Sequence, residues 1–271
     1  MFKRALILFT LLTFLSSCAT AYNPATGRKD LAFIDVKTEK DLGVNINKNV
    51  IGKAKLSGDP KYVDRLKNVT GRLLSRIEKR GIDYKIGVVV DKSPNAFTIP
   101  GGYIYATSTL MDGVNDTELA ACIAHEIAHS EARHAVKQLE ASMGYSTLMN
   151  VGYLLDPRTA DQKKDWQYVK KGSDAVFKMV SLGYSRADEY EADRLAVRYM
   201  IQAGYDPRGM LSLMAKLKAG ESKNDPKWAI FLRSHPYLDD RMALVNEEIN
   251  KYMAMSRGEK VNFEMQKVQK R

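Results

Sequence analysis

Two periodic patterns of hydrophobic residues occur along the chain, and together they predict a mostly helical fold with one small sheet. In several stretches, apolar side chains recur every three to four residues, as on the buried face of a helix. These stretches are residues 35–49, 59–80, 115 to beyond 134, 186–202, those after 207, and those after 236 to about 253. The expected fold class is α+β, mostly helical, in one domain.

Shorter apolar runs predict the sheet. Tyr84–Val90 has the composition of a strand, and Ala96–Ile99 and Tyr103–Thr107 flank Pro100-Gly101-Gly102, which is typical of a hairpin. A strand at the edge of a sheet can bind an extended peptide through main-chain hydrogen bonds, with little demand on the peptide's sequence. Either hairpin strand is a candidate for this role, and an ordinary structural hairpin is the alternative.

The N-terminus has the pattern of a bacterial export signal. After two basic residues, the apolar stretch Ala5–Leu15 is too short for an ordinary membrane span. Leu15-Ser16-Ser17-Cys18 then resembles the lipobox, in which the cysteine is lipidated and becomes the mature N-terminus. We therefore expect a signal peptide over residues 1–17 and a lipid anchor on Cys18; a plain signal peptide with an incidental cysteine is the alternative. Because Ala19 follows, the resemblance to enterobacterial lipoproteins favours the outer membrane, facing the periplasm.

The rest of the chain divides into three segments. A polar lead-in covers residues 18–58, the main domain covers 59–253, and a short basic tail covers 254–271. Within the domain, residues 141–183 show no clear period, and we expect them to form a mobile cover over a site.

Composition narrows the classes of function. With 45% hydrophobic and 27% charged residues, and a mean hydropathy of −0.34, the chain is neither broadly disordered nor a polytopic membrane protein. The net charge of +10 suits an anionic partner, but acids are interspersed with the bases and no nucleic-acid motif is present. We expect no nucleic acid among the partners. With Cys18 lipidated, Cys122 has no partner for an intramolecular disulfide.

The clearest chemical signal is His125-Glu126-Ile127-Ala128-His129, within the helix that follows Asn115. Residues four apart lie on one helix face, so both imidazoles can reach a single Zn²⁺ while Glu126 points at its bound water. Zinc lowers the pKa of that water toward ~7, so that Glu126 can take its proton. The metzincin pattern is excluded, because Ala132 and Ala135 stand where it requires glycine and histidine.

A catalytic zinc needs a third protein ligand. His134 lies nine residues after His125, about half a turn round the helix, and is expected to face away as a structural or surface histidine. Glu189 and Asp193 lie four apart on a predicted helix, so one carboxylate can bind the metal while the other orients a ligating imidazole. Glu191 points elsewhere and is not expected to be a ligand.

These motifs together resemble the gluzincin peptidases that include HtpX, the CAAX prenyl proteases, the mitochondrial Oma-type proteases and the periplasmic lipoproteins BepA and LoiP. The likeness to the compact LoiP-type lipoprotein proteases is strongest. The matching segments are Asn95-Ala96-Phe97, Pro100 to Tyr105, HEIAHSEARH at 125–134, Tyr184 to Asp193, and Ser234-His235-Pro236 with Arg241. They cover roughly residues 60–250 in the order of the family.

The resemblance implies a zincin-like metalloprotease domain with one Zn²⁺ per chain. The ion would be held by His125, His129 and Glu189, and Glu126 would be the general base. Asp193 would be the supporting carboxylate; we favour an orienting role for it, because an aspartate hydrogen-bonded to a ligating histidine should stay ionised.

The resemblance also makes His235 an active-site residue. It could stabilise the oxyanion of the tetrahedral intermediate, or bind zinc in a resting state, and the sequence leaves both roles open. Arg241 is expected either to support the same region or to form a surface salt bridge.

The implied function is zinc-dependent endopeptidase cleavage of misfolded or unassembled cell-envelope proteins, with extended polypeptides as substrates. A zinc-stabilised chaperone or assembly factor with little turnover is the alternative, although such a protein has no need for a base at Glu126. The sequence makes no prediction of an oligomeric state.

Overall fold

The computed structural model describes residues 19–23, 27–52, 54–142, 183–222, 225 and 228–259. The predicted signal peptide (1–17) and Cys18 lie outside the described residues. So do the predicted cover, apart from residues 141, 142 and 183, and the tail beyond 259. Within the described ranges, no helix is both long enough and apolar enough to cross a membrane.

The α+β, mostly helical fold class is confirmed. The strands, in chain order, are β1 (Ala19–Asn23), β2 (Arg28–Ala32), β3 (Lys85–Val89), β4 (Ala96–Ile99) and β5 (Tyr103–Thr107). The helices are α1 (Val36–Ile51), α2 (Pro60–Leu74), α3 (Ser108–Gly113), α4 (Asp116–Glu131), α5 (Arg186–Gln202), α6 (Arg208–Ser222), α7 (Ala229–Ser234) and α8 (Leu238–Ser256). Residues 134–142 are also helical.

The main sheet has three strands in the order β3-β5-β4. Strand β4 pairs antiparallel with β5, as predicted for the hairpin, whereas β3 pairs parallel with β5. Because β5 is hydrogen-bonded on both sides, Tyr103–Thr107 is wrong as a candidate for an edge strand, and of the two hairpin strands only Ala96–Ile99 lies at an edge of this sheet. Strands β1 and β2 form a separate antiparallel pair, which the polar lead-in sequence did not predict.

Helix α4 lies at the centre of the molecule, and its residues from Glu118 to Glu131 are all buried. It packs against α2, α5, α6 and β4, so no side of it faces water over most of its length. A helix covered on all sides has no polar stripe. The polar groups that it carries, including both histidines and Glu126, are therefore buried, and they need partners from other elements.

The lead-in is packed onto the domain through α1. Gly43 of α1 lies against the Pro100-Gly101 turn between β4 and β5, so closely that a Cβ there would be 2.0 Å from the Pro100 carbonyl oxygen. Glu39, one turn earlier, is 1% exposed and accepts hydrogen bonds from the guanidinium of Arg80 at 3.0 and 3.2 Å. The close contact of Gly43 with the Pro100-Gly101 turn fixes the position of the hairpin relative to α1.

Two helices end earlier than the sequence predicts. Helix α2 ends at Leu74 rather than near residue 80, and Arg80 then donates to the Ser130 carbonyl at 2.6 Å. Helix α4 ends at Glu131 instead of continuing past His134, because Arg133 adopts a left-handed conformation with φ of 60°. The chain turns at Arg133 before the helical residues 134–142 begin, and this turn has a direct consequence for the site.

Candidate metal centre

A capping box fixes the start of α4. The Asn115 side chain accepts from the Glu118 backbone N–H at 2.9 Å, and the Glu118 carboxylate accepts from the Asn115 N–H at 2.9 Å. Two groups on α6 also bind Glu118: the Ser212 hydroxyl and the Lys216 ammonium each donate to it at 2.6 Å. Burial raises the pKa of Glu118, but these donors lower it overall, so the carboxylate is held ionised at the positive end of the helix.

Four buried side chains converge two turns later. Ligand atoms of His125, His129, Glu189 and His235 all lie within 4.8 Å of one another. The two Nε2 atoms on α4 are 2.9 Å apart, and each lies 3.4 Å from an oxygen of Glu189. Nitrogen and oxygen ligands bound about 2.0–2.1 Å from one tetrahedral zinc ion are about 3.3–3.4 Å apart. The two nitrogen–oxygen spacings and the donor types therefore fit one metal ion of this size, while the spacing between the two nitrogens is shorter than that range.

Helix α5 supplies the carboxylates. Its N-terminus is a second capping box, formed by Ser185 and Asp188, so the helix begins within one turn of Glu189. Glu189 is fully buried and Asp193, one turn later, is 2% exposed. Both therefore face the interior and α4, whereas the side chain of Glu191 is partly exposed and Glu191 is not among the converging ligands.

Asp193 and Arg241 form a buried ion pair behind the ligands. The Nε and Nη2 atoms of Arg241 each donate to Asp193 at 2.7 Å, and Nη1 lies 2.6 Å from Glu189. Burial raises the pKa of Asp193, but Arg241 and His125 lower it overall. The pKa of Glu189 is also held well below its usual range, against burial, by Arg241 and His235. The Nδ1 atom of His125 lies 2.9 Å from Asp193, an ionised acceptor for its proton.

His235 enters the cluster from the turn between α7 and α8. Its Nδ1 lies 3.2 Å from His125 Nε2 and 3.3 Å from Glu189, while its Nε2 lies 3.3 Å from Glu126. Arg241 holds this turn by donating to the carbonyl oxygen of His235 at 3.2 Å. Burial lowers the pKa of His235, but the carboxylates of Glu189 and Glu126 raise it to about 10. The carboxylates thus stabilise positive charge at the cluster, which favours a bound cation.

The remaining face of His129 is covered by two residues. The Tyr184 ring stacks on the imidazole with centroids 4.0 Å apart. The Nδ1 atom of His134 lies 2.8 Å from His129 Nδ1. The expectation that His134 faces away is wrong, because it assumed an unbroken helix, and the turn at Arg133 brings the ring back against His129.

Comparison with known proteins agrees with this arrangement. Residues 60–249 match peptidase family M48. The chain belongs to peptidase family M48. The gluzincin resemblance seen in the sequence is therefore confirmed, since M48 is a family of metallopeptidases.

The M48 relatives include two bacterial proteins with the same name. Beta-barrel assembly-enhancing protease of Escherichia coli (strain K12) is 25% identical over 236 residues, which are 86% of this chain and 48% of that protein. The Yersinia pestis protein is 25% identical over 229 residues, 84% of this chain and 47% of the relative. This chain therefore spans about half the length of these relatives.

A eukaryotic M48 relative matches over a similar region. Mitochondrial metalloendopeptidase OMA1 of Schizosaccharomyces pombe is 25% identical over 238 residues, covering 83% of this chain and 65% of the relative. The converging side chains lie within residues 60–249, the part of the chain that matches the M48 family.

The structure brings together all six residues named from the sequence as zinc ligands or catalytic groups. Sequence reasoning missed His134 and Tyr184, and it left Arg241 open between a supporting role and a surface salt bridge. Arg241 is 3% exposed and contacts Asp193, so the surface alternative is wrong. Its spacing of six residues from His235 was the available signal. Tyr184 lies two residues before the predicted helix at 186–202; it belongs to a segment that matches the family, but no periodic pattern marks it.

Proposed function

We propose that this M48 chain is a zinc-dependent endopeptidase in which His125, His129 and Glu189 hold one Zn²⁺. The observation that carries the proposal is the convergence of these three buried ligands beside the carboxylate of Glu126, which is itself 1% exposed. When bound, zinc would polarise the scissile carbonyl and lower the pKa of the attacking water.

Glu126 is the proposed general base. It follows His125 directly on α4, so its carboxylate reaches the same region as the two imidazoles without being one of the converging ligands. Burial excludes competing water and places this carboxylate where it can accept a proton at Oε1 or Oε2 from the attacking water and return it to the leaving amine. Because the Nε2 of His235 is 3.3 Å from Glu126, His235 can also donate to an oxygen that develops negative charge nearby.

Arg241 and Asp193 have positioning roles in this proposal. The guanidinium fixes both carboxylates of α5 and the turn that carries His235. Asp193 in turn faces the Nδ1 of His125 and selects the tautomer whose Nε2 is free to ligate. The low pKa of Asp193 supports the orienting role over that of a proton donor, because a proton donor must carry its proton at working pH.

The proposed substrate is an extended polypeptide that pairs with β4. This strand lies at an edge of the sheet, and Thr98, Ile99 and Pro100 line a small cleft together with His129. Ala96, Thr98 and Ile99 are at most 3% exposed, so pairing requires that the strand become accessible. Main-chain pairing binds many sequences with similar affinity, which suits misfolded or unassembled proteins. A location in the bacterial cell envelope, with a lipid anchor at Cys18 facing the periplasm from the outer membrane, is supported by the N-terminal sequence pattern.

Digestion of casein tests the enzymatic proposal. Wild type should release peptides, and Glu126→Gln should reduce the rate by at least about 10²-fold with one zinc per chain retained. Glu118→Gln is the matched control, since it neutralises a buried carboxylate at the other end of the same helix. Equal digestion by Glu126→Gln and wild type would rule out the mechanism. Suppressed aggregation of a substrate without cleavage would favour the chaperone alternative.

Cell fractionation tests the anchor separately. Cys18→Ala should leave the protein uncleaved or soluble, with no acyl mass at its N-terminus, and Cys122→Ala should behave as wild type. Recovery of normally processed Cys18→Ala protein in the outer-membrane fraction would defeat the anchor, while the proposed chemistry would stand.

A further inference from the structure

The two histidines of α4 differ in what their Nδ1 atoms face. A histidine that binds metal through Nε2 carries its proton on Nδ1 and needs an acceptor there. For His125, an oxygen of the Asp193 carboxylate lies 2.9 Å from Nδ1. For His129, no carboxylate among the described residues fills this position; within those same residues, the group at hydrogen-bond distance from Nδ1 is the Nδ1 of His134, at 2.8 Å.

The chain places His134 there by breaking the helix. In an unbroken helix, His134 would lie about 140° round the axis from His129 and could not reach its ring. The left-handed residue Arg133 breaks the helix at this point, although this conformation is strained for a residue other than glycine. Arg133 is held by donating to the Ile34 carbonyl and to Glu39, which belong to a distant part of the chain.

The direction of the hydrogen bond follows from the atoms at its two ends. If His129 donates from Nδ1, then His134 must accept at Nδ1 and carry its own proton on Nε2. That Nε2 lies 3.7 Å from Asp188 and 3.7 Å from Glu191, both on α5. Two carboxylates near Nε2 favour a proton on that nitrogen. The contact with His129 at Nδ1 and the carboxylates at Nε2 therefore select the same tautomer of His134, with its proton on Nε2.

Simple packing does not explain this arrangement. His134 is 1% exposed, and an apolar side chain would fill the same space without needing a partner for two ring nitrogens. We propose that His134 is a positioning residue for the metal centre: its Nδ1 accepts the Nδ1 proton of His129 and thereby fixes the orientation and tautomer of that ligand. This inference rests on the proposed function, since it requires that His129 bind the metal.

Three variants separate positioning from packing. His134→Phe fills the space but offers no acceptor, whereas His134→Asn keeps an acceptor oxygen near the position of Nδ1. Tyr84→Phe is the matched control, because it removes a buried hydrogen bond of 2.6 Å to Glu131 at the end of the same helix without touching a ligand. Zinc affinity is measured by competition with a chelator, and the fold of each metal-free variant by thermal unfolding.

The expected result is a zinc affinity reduced about 10–100-fold in His134→Phe, within a few-fold of wild type in His134→Asn, and unchanged in Tyr84→Phe. A His134→Phe protein that folds and binds zinc as wild type does would overturn the inference, and so would a folded His134→Asn protein as weak as His134→Phe. If wild type itself binds no zinc, the proposed function fails as well. If wild type binds zinc and digests casein, and His134→Phe binds zinc equally well, the inference is refuted while the proposed function stands.

A measurement on the wild-type protein avoids any effect of substitution on folding. In zinc-loaded protein with ¹⁵N-labelled histidines, an N–H···N hydrogen bond transmits a scalar coupling between its two nitrogens. The expected spectrum has the proton on His129 Nδ1, coupled to an unprotonated Nδ1 of His134. Absence of that coupling, or a proton on the His134 Nδ1, would refute the arrangement.

Discussion

Replacing Gly43 by alanine should destabilise the protein although it improves the intrinsic helix propensity of α1. The added Cβ would lie 2.0 Å from the Pro100 carbonyl oxygen and 2.9 Å from its carbon. Both atoms belong to the backbone, so no side chain can rotate away, and α1 or the hairpin turn must move by about 1 Å. Overpacking of this kind costs about 1–3 kcal/mol, and we expect the upper end.

The matched control is Gly71→Ala in α2, where a Cβ would meet nothing within 4 Å. Alanine is favoured over glycine inside a helix by about 0.8–1.0 kcal/mol, which should appear in full at residue 71 and offset part of the clash at residue 43. The net expectations are a loss of about 2 kcal/mol for Gly43→Ala and a gain of about 1 kcal/mol for Gly71→Ala. At this size, 1 kcal/mol shifts the Tm by about 2–4 °C.

Urea and thermal unfolding measure these differences, and casein digestion measures their functional effect. The Pro100-Gly101 turn ends the edge strand β4, so Gly43→Ala should also lower kcat/KM at temperatures where the protein is folded. Gly71→Ala should not change kcat/KM. If Gly43→Ala is as stable as Gly71→Ala, the lead-in helix does not pack on the hairpin as described, and it contributes nothing to the placement of β4.

Further substitutions test the individual groups of the site. Asp193→Asn should weaken zinc binding about 10–100-fold in a chelator competition, because an amide is a poorer acceptor for the His125 proton. His235→Ala should raise basal or self-cleavage if His235 is a resting ligand, and should lower kcat about 10²–10³-fold with zinc retained if it stabilises the oxyanion; unchanged kinetics would exclude both. Arg241→Gln should destabilise the metal-free protein by about 3–5 kcal/mol in denaturant unfolding, since it leaves two buried carboxylates without their cation, whereas a loss below 1 kcal/mol would contradict the ion-pair geometry. The pKa of Glu118 is lowered on folding, so the ionised carboxylate contributes its full stabilisation above the unfolded pKa of about 4.3 and loses it as the pH falls through the folded pKa. The difference in Tm between wild type and Glu118→Gln should therefore shrink in acid. A difference that stays constant with pH would refute the assignment.

Features that depend on residues close together in the sequence were predicted, whereas features that depend on distant residues were not. Two ligands on one helix are encoded by spacing alone, because residues 125 and 129 must share a face whatever surrounds them. Capping is equally local: Asn115 and Glu118 stand three apart and signal the start of α4. The spacing of Glu189 and Asp193, taken with the two histidines upstream, pointed to this pair of acids, but the choice of Glu189 as the ligand required the resemblance to a family.

The residues that sequence reasoning misplaced depend on distant partners. Nothing near Arg133 predicts a helix break, since no glycine or proline is present and the left-handed conformation depends on contacts with Ile34 and Glu39. The position of His134 follows from that break. Likewise, whether Arg241 is buried or exposed depends on Asp193, 48 residues away. Local sequence patterns determine which side chains share a helix face, whereas tertiary contacts determine where the helix ends.

The charges around the cluster explain why these distant contacts matter. Glu126, Glu189 and Asp193 are buried carboxylates, and Arg241 is the one buried guanidinium that contacts two of them in the described part of the chain. If all three are ionised and His235 is protonated, as its raised pKa of about 10 implies, one net negative charge remains in a region that water does not screen, which burial alone would make costly. A divalent cation bound by the two imidazoles and Glu189 would neutralise this excess. Arg241 therefore compensates part of the negative charge of Glu189 and Asp193, the two carboxylates of α5. The remaining negative charge can attract a metal ion.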